Sequence, residues 1–172
     1  MRLYLVLLSG LLVAARPVSA QTGSTRPAPP QCDSAQYRQF DFWVGDWQVT
    51  SGGQPAGVNV VTLEEGGCLI HEHWRGAGGG TGQSLNFYDR ADGHWHQVWI
   101  SSSGMALLLT GSYHSDRLEY TGERATTPGG PVLRHRLTFF HNSDGTVRQL
   151  WETSQDGTTW QTSFDGLYTR KS

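Results

Sequence analysis

His71-x-His73 and His94-x-His96 each put two imidazoles on one face of an extended strand, which is metal-ligand spacing. One intervening strand would hold the two pairs about 9–10 Å apart across a sheet. The alternation around them turns all four outward, so no metal site is assigned. Glu72 lies between two of these histidines and shares its strand face with Trp74. Inside an aromatic cavity its carboxyl would ionise late and could move protons. Arg136 is the cation suited to hold a carboxylate or an oxyanion there. The plainer role is a Glu72–Arg136 pair that satisfies two buried polar groups. No nucleophile motif joins them: there is no Gly-x-Ser-x-Gly, and Ser101-Ser102-Ser103-Gly104 is a turn. Haem would need an axial ligand, and no histidine lies beyond His141. No catalytic residue and no cofactor is assigned.

These side chains sit on short runs of alternating polarity separated by Gly, Asp, Asn and Ser. Strands are expected near 46–51, 57–64, 68–75, 83–89, 94–101, 105–113, 117–123, 132–140, 146–154 and 159–170. Ala91-Asp92-Gly93, Ser115-Asp116, Ser143-Asp144-Gly145 and Asp156-Gly157 carry hairpin chemistry. About ten strands with mostly tight connections fit an all-β, antiparallel up-and-down barrel. The aromatic run Phe40-Asp41-Phe42-Trp43 precedes Gly45-x-Trp47, a step suited to closing one end of a small barrel. A short helix over 35–42, capped by Asp33 or Ser34, would plug that end.

Pairing Asp89 with His94 sets Tyr88 opposite Trp95, Asn86 opposite Gln97 and Ser84 opposite Trp99. The reverse face then holds Leu85, Phe87, Val98 and Ile100. Later, Arg134, Arg136 and Thr138 align with Gln149 and Trp151, while Leu133, Leu137, Phe139 and Leu150 point the other way. Two interiors remain open. One is an aliphatic core with a wet Trp/Gln/Arg face; the other is a lumen lined by that face. The second is preferred because leaving Trp74, Trp99 and Trp151 in water would waste much apolar area. Ser112, His114, Arg117 and Glu119 break this parity, and a bulge at Gly111 would restore it.

Five segments together resemble a known family. They are Phe40-Asp41-Phe42-Trp43-x-Gly45-x-Trp47, Gly67-Cys68-x-x-x-Glu72-x-Trp74, Trp95-x-Gln97-x-Trp99, Arg148-Gln149-x-Trp151-Glu152-x-Ser154 and Asp156-Gly157-x-x-Trp160. The family comprises secreted bacterial proteins of unknown function with a lipocalin-like (calycin) barrel. The resemblance covers residues 34–172 and implies that fold without implying an activity. Gly45-x-Trp47 is similar to the lipocalin opening motif, in which an Arg near the last strand covers the Trp. Arg170 is the residue placed to do so here. That family often has an acidic residue where this chain has Ser101. A weaker similarity in spacing, from Asp92 to Tyr113, extends to haem-binding nitrobindin-type barrels.

The chain opens with Arg2, an apolar run from Leu3 to Ala15, and Val18-Ser19-Ala20. This describes a secretory signal peptide (1–20) cleaved after Ala20. The run is too short and interrupted for a good membrane span. Loss of Arg2 and Arg16 makes the formal net charge of −2 two units more negative. With one lysine, Lys171, and no basic cluster, nucleic acid is not an expected partner. Residues 21–33 read as a Pro-rich flexible leader. Cys32 and Cys68 would pair in an oxidising compartment, the alternative being two separate buried thiols.

The expectation is a secreted or periplasmic lipocalin-like barrel that holds a small amphipathic or aromatic ligand without transforming it. Trp74, Tyr88, Trp99 and Trp151 would supply stacking surface. Glu72, Asn86, Gln97, Arg136 and Gln149 would supply polar contacts. The alternatives are acid–base chemistry on Glu72 and Arg136, haem binding, or an envelope-associated scaffold with a filled interior.

Overall fold

The computed structural model describes residues 32–171. The expected signal peptide and most of the expected leader lie outside the described residues. Ten antiparallel strands follow one another in the sheet in chain order and close on themselves. They are β1 (Gly45–Ser51), β2 (Gln54–Glu64), β3 (Leu69–Gly76), β4 (Thr81–Asp89), β5 (His94–Ser101), β6 (Ala106–His114), β7 (Arg117–Ala125), β8 (Val132–His141), β9 (Val147–Ser154) and β10 (Gln161–Arg170). β1 pairs with β10, so the sheet has no free edge.

Closure rests on the Gly45-x-Trp47 step. Trp47 is fully buried and its indole N–H donates to the Trp43 carbonyl at 2.8 Å. The Arg170 guanidinium lies 4.6 Å from the Trp47 ring and also donates to the Val44 carbonyl at 3.3 Å. Gly45 adopts φ +149°, and a Cβ there would run into that guanidinium.

The N-terminal plug is formed by two 3₁₀ turns, Ala35–Arg38 and Asp41–Trp43, rather than one helix. Ser34 makes no side-chain cap. Tyr37, Phe40 and Trp43 recur every third residue, the 3₁₀ period, so the tighter winding aims all three at the barrel. Tyr37 meets Tyr88 edge-on at 5.3 Å, and Phe40 reaches Trp95 at 5.8 Å and Phe139 at 5.0 Å. Cys32 and Cys68 are bonded, which ties the chain just before the plug to the β2–β3 connection. Arg38 adds a hydrogen bond to the Gly67 carbonyl.

The hairpin from β4 to β5 has the expected register: Tyr88 opposes Trp95, Asn86 opposes Gln97 and Ser84 opposes Trp99. Leu85, Phe87, Ile100 and Leu108 lie on the outer wall, with Leu108 66% exposed. The bulge expected at Gly111 is absent; Gly111 pairs in unbroken register with Trp95 and Tyr120. No flip is needed, because Leu107 and Leu109 face inward and Leu108 is the exposed member of that run. Breaks in register occur instead between Val49 and Thr50 and between Thr162 and Phe164.

The interior has two halves. Towards the plug it is filled by Phe40, Trp43, Trp47, Trp95, Phe139 and Val147. Towards the other end β3, β5, β9 and β10 present Trp74, Trp99, Trp151 and Phe164, and space remains between them.

Candidate functional site

A cavity of about 250 Å³ occupies the half of the barrel away from the plug. Its rim is aromatic: Trp74 from β3, Trp99 from β5, Trp151 from β9 and Phe164 from β10. Leu107 and Leu137 form apolar wall. Glu72, Gln97 and Gln149 bring polar atoms to its floor, one side-chain layer closer to the plug along each strand, and Tyr168 does so from one layer deeper, beyond Gly166.

Glycines make room for the rings. Trp74 faces Asn59 across β2–β3, and its six-membered ring lies over Gly57, where a Cβ would sit 2.7 Å from its Cη2. Trp99 faces Ser84 and lies over Gly82 in the same way. Gly57-x-Asn59 and Gly82-x-Ser84 are thus one device used twice: a polar side chain opposite the indole, and a bare backbone diagonal to it. The rings lie against the wall instead of standing across the lumen.

Glu72 is 4% exposed and both its oxygens are engaged. Asn59 Nδ2 donates to Oε1 at 2.9 Å, and Ser84 Oγ donates to Oε2 at 2.6 Å. Ser84 Oγ in turn accepts from Asn86 Nδ2 at 2.9 Å, and Asn86 Oδ1 accepts from Gln97 Nε2 at 2.8 Å and from Tyr120 Oη at 3.3 Å. Burial raises the Glu72 pKa to about 7, against the pull of these donors. The Tyr168 hydroxyl donates to Gln149 Oε1, and burial lifts its own ionisation well above the phenol range. Two buried polar atoms beside the cavity have no partner among the described residues: Asn59 Oδ1 and Trp99 Nε1.

Of the residues expected from sequence, the barrel brings Glu72, Trp74, Gln97, Trp99, Gln149 and Trp151 together around this space. Asn86 does not line it; it is fully buried behind Gln97 and Ser84 as the link of the network. Tyr88 is at the plug, against Tyr37 and Trp95. Arg136 is on the outer wall, donating to Glu152 at 2.8 Å and covering the Trp160 ring at 4.3 Å. No Glu72–Arg136 pair exists, so neither the structural pair nor the two-residue acid–base arrangement is formed. The cause is register. Leu137, not Arg136, faces Trp151, and a slip of one residue exchanges the two faces of a strand.

Sequence reasoning missed Leu107, Leu137, Ser163, Phe164 and Tyr168 in the lining. It also missed His135, whose Nδ1 accepts the Trp151 indole N–H at 3.0 Å. Burial, aided by the nearby Arg124, keeps this imidazole below its ordinary pKa and so neutral. Ser163 sits at the register break that turns Phe164 inward, a feature alternation cannot show. Tyr168, two residues before Arg170 on the inward parity, was the legible one. The histidine pairs are on the outer wall and bind neighbours: His71 contacts Gln83 at 3.0 Å and Glu64 at 3.4 Å, and His96 contacts Asp92 at 2.9 Å.

No protein-family model matches this chain, and a search of curated proteins finds no match either.

Proposed function

We propose that this protein is a lipocalin-like binding barrel whose lumen holds one small amphipathic, aromatic molecule. The observation that carries the reading is the half-filled interior. The plug end is packed solid, while the other end keeps an open, aromatic-rimmed space over a polar floor. A scaffold with no guest has no reason to maintain that space, because filling it with larger side chains would add buried apolar area. An apolar cavity of roughly 150 Å³ admits benzene, so the space here suits a fused ring pair of roughly ten non-hydrogen atoms. The disulfide and the resemblance to secreted barrels support an exported protein working outside the cytoplasm.

Indole is a suitable probe. Titrating it into ¹⁵N-labelled protein is expected to shift the indole N–H signals of Trp74, Trp99 and Trp151, and to leave that of Trp47 in place. Leu137→Trp, which fills the wall, is expected to abolish the shifts. Arg136→Ala is expected to preserve them, since that side chain is outside. Absence of any shift at millimolar indole, together with no retained mass in native mass spectrometry of protein from its own host, would overturn the reading.

A further inference from the structure

The lumen has a chemical bias that narrows its guest, and this inference rests on the binding reading above. Its polar floor is rich in acceptors. Glu72 offers a carboxylate whose two oxygens each hold one donor, leaving each with capacity for a second. Gln97 spends one of its two amide N–H groups on Asn86 and keeps its carbonyl oxygen as an acceptor. Asn59 donates to Glu72 and keeps an unpartnered, fully buried Oδ1 beside it. The donors it offers are neutral: Gln149, whose carbonyl accepts from Tyr168, keeps its amide N–H groups, and the Trp99 indole N–H is unpartnered among the described residues. No Lys, Arg or His is among the described residues that line the cavity. Arg136, the cation expected there from the sequence, is held outside by Glu152 and Trp160.

The rim adds a second, independent preference. Trp74, Trp99, Trp151 and Phe164 surround the space above that floor, with Trp74 and Phe164 edge to face at 6.0 Å. Ring faces attract cations and flat apolar bodies and offer nothing to an anion. An anionic guest would enter a site with no positive partner, over a carboxylate. A neutral hydrocarbon would leave the floor unpaired. A cation with N–H donors answers both.

We infer that the guest is a protonated amine carried on a flat apolar body, its ammonium donating to Glu72 at the floor and its ring body lying among the rim aromatics. The attraction is a charge-assisted hydrogen bond made where water is excluded, which is stronger than the same contact on a surface.

Three probes with one ring system separate the possibilities: tryptamine (cation), 3-methylindole (neutral) and indole-3-propionate (anion), titrated calorimetrically at pH 8. Tryptamine is expected to bind at least tenfold tighter than 3-methylindole, with the propionate weakest. Glu72→Gln keeps the shape of the floor and removes its charge. It is expected to bring tryptamine within about twofold of 3-methylindole and leave 3-methylindole unchanged. Equal or tighter binding of the propionate, or an amine preference that survives Glu72→Gln, overturns this inference and leaves the lumen reading standing. Failure of all three probes to bind the native protein overturns this inference, and together with no retained mass in native mass spectrometry it overturns the lumen reading as well. The wild-type series decides the sign of the preference by itself should the variant not fold.

Discussion

Glu72 is the residue on which the interior's chemistry turns. Its folded pKa of about 7 is above the ordinary carboxylate value of 4.5, so the folded state holds this proton more tightly than the unfolded chain does. The stabilisation is fully present below pH 4.5 and is lost as pH rises to 7, a difference of about 3 kcal/mol. Glu72→Gln cannot titrate. Denaturant unfolding at pH 4.5 and pH 8 is therefore expected to show the wild type losing about 3 kcal/mol more than the variant across that range. Parallel losses would mean that Glu72 ionises at an ordinary pH. The variant carries a constant cost of about 1 kcal/mol, because its amide makes the Ser84 hydroxyl seek another acceptor. At this scale the sequence was partly readable. Glu72, Trp74, Gln97 and Trp99 alternate strictly, and the Asp89–His94 hairpin pins their register. Arg136 was not readable, because the loop from Asn142 to Thr146 leaves the β8–β9 register open, and a slip of one residue decides which side it takes.

Among the elements, the paired glycine strands and the plug each make a distinct demand. Gly82→Val would drive a branched side chain into the Trp99 ring and into the β5 backbone. It is expected to cost about 1–3 kcal/mol and to push the indole into the lumen, weakening indole binding as seen by near-ultraviolet circular dichroism and titration. Unchanged binding in a folded Gly82→Val protein would show that the ring does not need its bare seat. Phe40 is fully buried among Phe42, Trp43, Trp95, Tyr120 and Phe139. Phe40→Ala is expected to lower stability by about 3–5 kcal/mol in chemical denaturation. The strands themselves were legible, since turn residues punctuate a two-residue period. The plug was misread as a single helix because a three-residue aromatic spacing over so few residues also fits one turn of α-helix. The break at Ser163 was hidden for a related reason: a bulge leaves no mark on composition, only on which side chains point inward.

At the scale of the whole molecule, rigidity and space are separated along the barrel axis. The Cys32–Cys68 bond lies at the filled end, closing a loop of sequence separation 36. Replacing both cysteines with serine is expected to lower stability by roughly 3–4 kcal/mol in the chain-entropy account, measured by denaturant unfolding. Indole affinity is expected to stay within twofold, since the bond is remote from the rim. A large loss of affinity would show that the two ends are coupled. The separation also restricts traffic. With one end stoppered by aromatic rings, the barrel is a blind alley, and whatever goes in must back out along the same path. A molecule seated polar head first therefore departs greasy tail first, so any receiver of this cargo would have to meet it at a hydrophobic doorway rather than by grasping its charge.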